Sequence, residues 1–198
     1  MLMPISRRRP AADFKMTFDS RHIPNHLYFV TASIVGWKPL FSETKYAEIV
    51  LNSLTWLRQE KRISLYAFVL MSTHLHAILL PLNRPIGELL QNFGSFTAHK
   101  IMQNLRKENR KDLVDFFHAH RRENSLEHSI WQDIQAKNIY SEKFLIQKME
   151  YIHQNPVTNE LKLVQDRAEY LYSSACYYDE GQRPIIEIDD IRDFLFLD

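Results

Sequence analysis

Residues 63–80, ISLYAFVLMSTHLHAILL, contain two apolar runs, Ile63–Leu70 and Leu75–Leu80, on either side of the short segment Met71–His74. Runs of this length, rich in aliphatic and aromatic residues, are typical of buried β-strands. A break of only a few residues is a common connection between neighbouring antiparallel strands. The stretch therefore predicts a buried hairpin.

The patterns on both sides of the hairpin predict an α+β order. In chain order they indicate a strand over Leu27–Ile34, a helix over Lys45–Glu60, the hairpin, a helix from Ile86 to about Leu105, a strand within Ser129–Ile139 and a helix from Ser141 to about Asn155. A hairpin between two helix–strand units predicts an antiparallel sheet with helices packed on one face, the split β-α-β arrangement. We also expect a loop-like basic segment up to Glu127, a helix end at Pro156 and a short extended piece over Pro184–Ile188.

The composition indicates one core and excludes several classes of protein. The chain has 198 residues, of which 45% are hydrophobic, and this suffices for one sizeable core. Its four glycines form no Gly-rich phosphate loop, which argues against ATP-driven chemistry. The single cysteine, Cys176, fits a reducing compartment. No apolar run approaches the roughly 20 residues of a membrane helix, so we expect a cytoplasmic protein without a membrane partner.

The tripeptide His74-Leu75-His76 lies at the start of the second hairpin strand. Side chains alternate between the two faces of a strand, so both histidines should point to one face and Leu75 to the other. Two imidazoles on one face can bind a common divalent metal ion, although packed strand histidines would give the same pattern. His118-Ala119-His120 has the same spacing in a polar segment, and residues two apart on a helix do not face each other.

The last predicted helix carries Tyr151 and Asn155, which are four residues apart and should share a face. A phenol near a cation can act as a nucleophile, and its ester with a DNA phosphate keeps the energy of the phosphodiester. A core tyrosine with its hydroxyl at the surface is the competing interpretation. Gln147 and His153, on the same helix, are rival candidates for metal binding or proton transfer.

Two segments together resemble a known family. Residues 69–78, VLMSTHLHAI, resemble the metal-binding strand of single-tyrosine HUH transposases, and residues 150–157, EYIHQNPV, resemble the helix that bears their nucleophile. The Tyr-Ile-x-x-Asn-Pro form, with Trp131-Gln132 upstream, is most similar to the REP-associated tyrosine transposases. The early strand around Tyr28 and the later Tyr172-Ser173-Ser174 match the same pattern.

This resemblance implies a ferredoxin-like fold and a specific chemistry. The expected activity is a metal-dependent single-stranded DNA endonuclease and strand transferase that forms a 5′-phosphotyrosine, uses Mg²⁺ or Mn²⁺ and acts on hairpin-forming DNA. By position, His74 and His76 match the metal-binding pair and Tyr151 the nucleophile. Asn155 matches a third, polar ligand, with Gln154 as the alternative. Relatives include monomers and dimers, so a homodimer is compatible with the resemblance.

The resemblance also suggests how the chain is organised: an N-terminal arm over residues 1–21, a catalytic domain over 22–178 and an acidic tail over 179–198. The tail carries seven acids and two arginines, a net charge of −5. Residues 100–122 carry seven basic and three acidic residues, a net of +4, which indicates either a DNA-backbone contact or a solvated helix face. The candidate DNA contacts are Lys100, Arg106, Lys107, Arg110 and Lys111.

Two alternative functions remain open at this point. One is a non-catalytic protein that holds hairpin DNA on the same fold. The other is a zinc hydrolase that uses His74 and His76 with His153 or His128, against which the absence of a Cys cluster and of a His-Glu-x-x-His pattern counts.

Overall fold

The computed structural model describes residues 23, 25–120, 130–158 and 162–195. Its strands and helices are, in chain order, β1 Leu27–Ile34, α1 Thr44–Gln59, β2 Ile63–Leu70, β3 His74–Pro81, α2 Ile86–Lys107, α3 Lys111–Ala119, β4 Trp131–Ile139, α4 Glu142–Thr158, α5 Ala175–Glu180 and α6 Ile191–Leu195. The hairpin of β2 and β3 is confirmed, and so is the predicted order of strands and helices, to which the structure adds α3, α5 and α6.

The four strands form one antiparallel sheet in the order β2-β3-β1-β4. The two central strands, β3 and β1, are not consecutive in the chain. They pair in a register that sets Thr31 opposite His76 and Ser33 opposite His74. This is the split β-α-β arrangement, so the predicted α+β class is confirmed.

Alternating side chains give the sheet two buried faces. On one face Tyr28 and Val30 of β1 and Leu75 of β3 pack with α1 and α2 in the larger core. On the other face Phe29 and Ile78 pack against α4 in a smaller core. We name these the α1–α2 face and the α4 face. Helices α1 and α2 therefore lie on one side of the sheet, and α4, which carries Tyr151, lies on the other.

Helix α2 is docked on β4 through Gly94 and Thr97. A Cβ atom on Gly94 would lie 2.7 Å from the Ile134 side chain, so the absence of a side chain permits this close approach. The buried indole N–H of Trp131 donates a 2.9 Å hydrogen bond to Thr97 Oγ1. Trp131, one of the residues on which the family resemblance rests, thus has a clear structural role here.

The segment predicted as a loop after α2 contains the helix α3 instead. Its apolar residues Leu113, Val114, Phe116 and Phe117 lie on one side and pack against the larger core, with Phe117 fully buried. The many charges around these residues mask their helical spacing in the sequence. The remainder of the segment, residues 121–129, lies outside the described residues.

Pro156 does not end α4, which continues to Thr158. Proline has no N–H to donate to the carbonyl of Ile152, four residues earlier, but burial of Asn155 and Pro156 holds the last turn in place. The predicted extended piece over Pro184–Ile188 is also wrong, since this segment forms bends and coil.

The acidic segment after residue 178 packs on the domain as far as it is described. Ile186 is buried in the larger core and Ile191 in the smaller one. Arg58 on α1 forms ion pairs with Glu187 and Asp189. The predicted arm over residues 1–21 lies outside the described residues. Among the helices that are described, none is long and apolar enough to cross a membrane.

The bond between Trp131 and Thr97 gives a test of how α2 docks on the sheet. Thr97→Val keeps the shape of the side chain but removes the acceptor of the buried indole N–H. We expect a loss of about 1–3 kcal/mol in the free energy of unfolding, measured by urea denaturation. The matched control is Thr55→Val on α1, because that hydroxyl bonds the Leu51 carbonyl of its own helix. Equal stability of the two variants would contradict this role.

Candidate active site

The two histidines of β3 point together toward α4. His76 is buried and His74 is half-buried, and their ring centroids lie 4.9 Å apart. Leu75, between them, is buried on the α1–α2 face. The alternation expected of a strand is therefore present, and it brings two imidazoles to one place.

A threonine hydroxyl holds each imidazole on the side away from α4. Thr31 Oγ1 lies 3.0 Å from His76 Nδ1, and Thr73 Oγ1 lies 2.9 Å from His74 Nδ1. With Nδ1 engaged in each ring, Nε2 is the nitrogen that faces the helix. When Nδ1 carries the proton and donates it to threonine, Nε2 keeps a free lone pair that can bind a metal ion.

Helix α4 brings one polar group to each imidazole. Tyr151 Oη lies 3.4 Å from His76 Nε2, and Asn155 Oδ1 lies 3.4 Å from His74 Nε2. The Asn155 amide also donates a 2.9 Å hydrogen bond to the Tyr151 carbonyl, which keeps its oxygen turned to His74. Gln154, the alternative to Asn155, instead bonds Glu150 on the exposed side of the helix.

Burial keeps the histidine pair neutral. The pKa of His76 is lowered to about 3, chiefly by desolvation and then by the nearby His74 and Lys148. Desolvation also lowers the pKa of His74. Both rings are therefore uncharged at neutral pH, which is the state in which imidazole binds metals.

Lys148 lies beside this group and was not singled out in the sequence. Its ammonium group is 4.7 Å from the ring centre of Phe29, 5.3 Å from that of Tyr151 and 5.2 Å from that of Phe144. Desolvation, followed by repulsion from Lys137, lowers the pKa of Lys148. Among the described residues neither lysine forms an ion pair, so Lys148 is an available cation beside Tyr151 and Lys137 is a second one near Lys148. The three-residue spacing from Lys148 to Tyr151 on a helix is the signal that could have indicated it.

Trp37 forms the exposed rim of the site. Its ring lies 5.8 Å from that of His74, and 58% of the residue is exposed. Gly36 and Trp37 both have left-handed backbones, with φ of 63° and 53°. For a bulky residue this conformation costs about 1–3 kcal/mol. At Gly36 a Cβ atom would lie 2.8 Å from the Phe116 ring of α3, so glycine is required there.

The other histidine candidates do not join the pair. His153 Nε2 lies 2.9 Å from the buried Ser174 Oγ, and its ring packs near Tyr178. His118 Nε2 lies near Arg106, whereas the His120 ring packs on Phe116. In the described part of the chain there is no group of three or more His, Cys, Asp or Glu side chains suited to a metal ion. Of the two further ligands of the alternative zinc hydrolase, His153 is thus bonded to Ser174, and His128 lies outside the described residues.

The predicted DNA contacts lie on α2, α3 and their connection, which pack on the α1–α2 face and so away from the histidines. Arg110 forms a 2.7 Å ion pair with Glu43, and Arg106 lies near His118. Lys107 and Lys111 are exposed at the same corner of the molecule. Lys100 lies two turns away along α2, above the Phe96 ring.

The comparisons with known proteins identify a fold. No family model matches the chain, and no curated protein matches it. Among solved structures it is similar to a REP-associated tyrosine transposase bound to a REP hairpin. The chain shares the fold of that transposase. The TM-score is 0.59 at 16% sequence identity, and the match covers 87% of this chain and 90% of the transposase chain.

The threonine anchor of His76 can be tested through metal affinity. Thr31→Val should free the imidazole to rotate and should lower Mn²⁺ affinity by about 10–100-fold, the usual effect of losing a bond that orients a ligating histidine. Electron paramagnetic resonance of free Mn²⁺ measures this directly. The control is Thr158→Val, whose hydroxyl bonds the Gln154 carbonyl within α4. Unchanged affinity in Thr31→Val would show that the hydroxyl does not orient a metal ligand.

Proposed function

We propose that this chain is a metal-dependent nuclease and strand transferase of single-stranded DNA, with Tyr151 as its nucleophile. The observation that carries the proposal is the meeting of β3 and α4, where the Tyr151 hydroxyl lies 3.4 Å from Nε2 of a buried, neutral His76. A tyrosine that served only for packing would not need its oxygen beside a metal-binding nitrogen. The fold shared with a REP-associated tyrosine transposase supports the same proposal.

His74, His76 and Asn155 are the residues that would hold the cation, which we expect to be Mg²⁺ or Mn²⁺. The fit rests on chemistry visible at the site, namely two Nε2 atoms and an amide oxygen on one side, each ring held from behind by a hydroxyl. Three protein donors leave coordination positions of the cation free for phosphate oxygens and water. A bound divalent cation supplies positive charge that stabilises the oxyanion developing during in-line attack.

The chain's own groups account for the covalent step. Tyr151 Oη attacks the phosphorus of the scissile linkage, so a bond from phosphorus to the phenolic oxygen forms while the bond to the 3′ oxygen breaks. The phenol loses its proton and the departing 3′ oxygen gains one. Lys148 and Lys137 bind nonbridging phosphate oxygens and keep the phosphorus over the phenol. Attack by a 3′ hydroxyl on the phosphotyrosine reverses the step and joins strands without ATP.

The DNA partner that we propose is a single strand, including strands that fold into hairpins. The transposase of the same fold was solved with a hairpin bound. A protein that only held hairpins would bind the same partner but form no covalent bond to it. The covalent adduct therefore separates the proposed enzyme from this alternative.

The decisive test is Tyr151→Phe. Incubated with Mg²⁺ and an end-labelled hairpin-forming strand, the unmodified chain should form an adduct that survives denaturation, and Tyr151→Phe should form none. Hairpin affinity should be retained, because only one oxygen is lost. Tyr140→Phe is the matched control, since Tyr140 is 76% exposed and precedes the same helix. An adduct of undiminished yield in Tyr151→Phe would assign the nucleophile elsewhere.

The metal-binding pair is tested in the same assay. His74→Ala and His76→Ala should each abolish the adduct while the circular dichroism spectrum stays that of a folded chain. Mn²⁺-dependent cleavage that persists in both variants would contradict the metal assignment without touching the role of Tyr151.

The basic corner of α2 and α3 is proposed to follow the DNA backbone. Each phosphate contact releases counterions, so the double variant Lys107→Glu, Lys111→Glu should reduce the slope of log affinity against log salt concentration by about 1–2. Fluorescence anisotropy at several salt concentrations gives that slope. Lys162→Glu, an exposed lysine beyond α4, is the control. An unchanged slope would favour a merely solvated helix face.

A further inference from the structure

The α1–α2 face carries an open groove that the proposed reaction does not use. The groove has a volume of about 620 Å³ and lies between α1 and α2. Its floor is apolar, with buried Leu57, Leu89 and Phe93. The histidines lie on the opposite face of the sheet, so the groove is chemically separate from the candidate active site.

Two large aromatic side chains border the groove and remain exposed. Trp56 of α1 is 49% exposed and Phe96 of α2 is 54% exposed. Each has a cation over its ring: the Arg62 guanidinium lies 4.7 Å from the Trp56 ring centre, and Lys100 Nζ lies 5.9 Å from that of Phe96. Flat apolar surfaces are thus combined with positive charge on both sides of the groove.

The remaining polar lining suits a polyanion with hydrogen-bonding rings. All the charged side chains that line the groove are cations, and one of them, Arg84, is paired with Glu88 outside the lining. The exposed amides of Asn52 and Asn92 offer donors and acceptors on opposite walls. An acidic peptide would pair with the cations, but it has no flat rings to stack on Trp56 and Phe96 and fewer groups to bond the two amides.

We propose that this groove binds an unpaired nucleotide of a DNA strand. Its base stacks on Trp56 or Phe96, the asparagine amides bond the edge of the base, and Arg62 and Lys100 bind the flanking phosphates. Stacking platforms beside cationic tracks are the usual means of binding single strands without strict sequence preference. The volume lies within the range of about 300–1,000 Å³ that is typical of ligand pockets.

This inference rests on the proposed function only in that the ligand is the same class of strand. It adds a second point of attachment, on the face opposite Tyr151. A strand held in the groove is tethered to the protein independently of the scissile phosphate. Lys100, predicted from the sequence as a backbone contact, gains a defined place, apart from the corner formed by Lys107 and Lys111.

The first experiment maps the contact. A non-self-complementary single strand that contains 5-bromodeoxyuridine is photocrosslinked to the full chain in the Tyr151→Phe background, and the attached peptides are identified by mass spectrometry. We expect attachment at Trp56 or Phe96. Crosslinks confined to the α4 face, around Phe29 and Trp37, would overturn the proposal.

The second experiment measures affinity for the same strand by fluorescence anisotropy. Trp56→Leu and Phe96→Leu keep apolar bulk but remove the stacking surface, and each should weaken binding by about fivefold or more. Leu171→Ala, at a somewhat more exposed apolar position outside the groove, should not. Because both aromatic side chains are half-exposed, these variants should fold. Asn92→Trp, which fills the groove from an exposed position, should weaken binding as well.

The outcomes separate the two proposals. Loss of affinity in the groove variants, together with no covalent adduct from the chain that keeps Tyr151, would support the groove and refute the transferase. An adduct of normal yield, with unchanged affinity in Trp56→Leu, Phe96→Leu and Asn92→Trp, would refute the groove and leave the transferase intact.

Discussion

The register between β1 and β3 is the constraint on which the site depends. It sets Thr31 opposite His76, so a hydroxyl from one central strand can hold an imidazole of the next. The same register stacks the Phe29 ring of β1 on the His76 ring, with centroids 5.4 Å apart. The Tyr151 ring meets the Phe29 ring edge to face. A shift by one residue would turn both histidines into the α1–α2 core. The geometry of the nitrogens is therefore fixed by pairing that extends along the whole sheet.

The two buried faces of the sheet have different roles. The α1–α2 face contains the larger core and provides most of the buried apolar surface, whereas the α4 face buries less and carries the polar groups. Helix α4 is attached at its outer side by Arg167, which forms ion pairs with Glu150 and with Asp179 of α5. Glu150 directly precedes Tyr151 on the helix. The part of α4 around Tyr151 is thus held by these ion pairs as well as by its packing on the sheet.

The sequence was sufficient wherever periodicity alone decides the geometry. Alternation along β3 predicted that His74 and His76 share a face, and four-residue spacing predicted that Tyr151 and Asn155 share another. The threonine anchors could not be foreseen in the same way, since the contact between Thr31 and His76 depends on a register between strands that are distant in sequence. Lys148 was missed because its place above Phe29 requires knowing that α4 packs on β1. Helix α3 was missed because charged residues lie between and on both sides of its four packed apolar residues, so that the segment looks polar in the sequence.

The three side chains proposed to hold the cation carry no formal charge, since they are two neutral imidazoles and an amide. Such a set attracts a divalent cation only weakly, and the missing negative charge is what a phosphate group brings. Cation and strand would then strengthen each other's binding by the same factor, as thermodynamic linkage requires. The chain alone would hold the metal less tightly than the complex with the strand does, and the strand alone would bind less tightly at this place than it does with the metal. Assembly of the complete centre would depend on both arriving together, so the arrangement itself would act as a safeguard against cutting in the absence of a correctly seated strand.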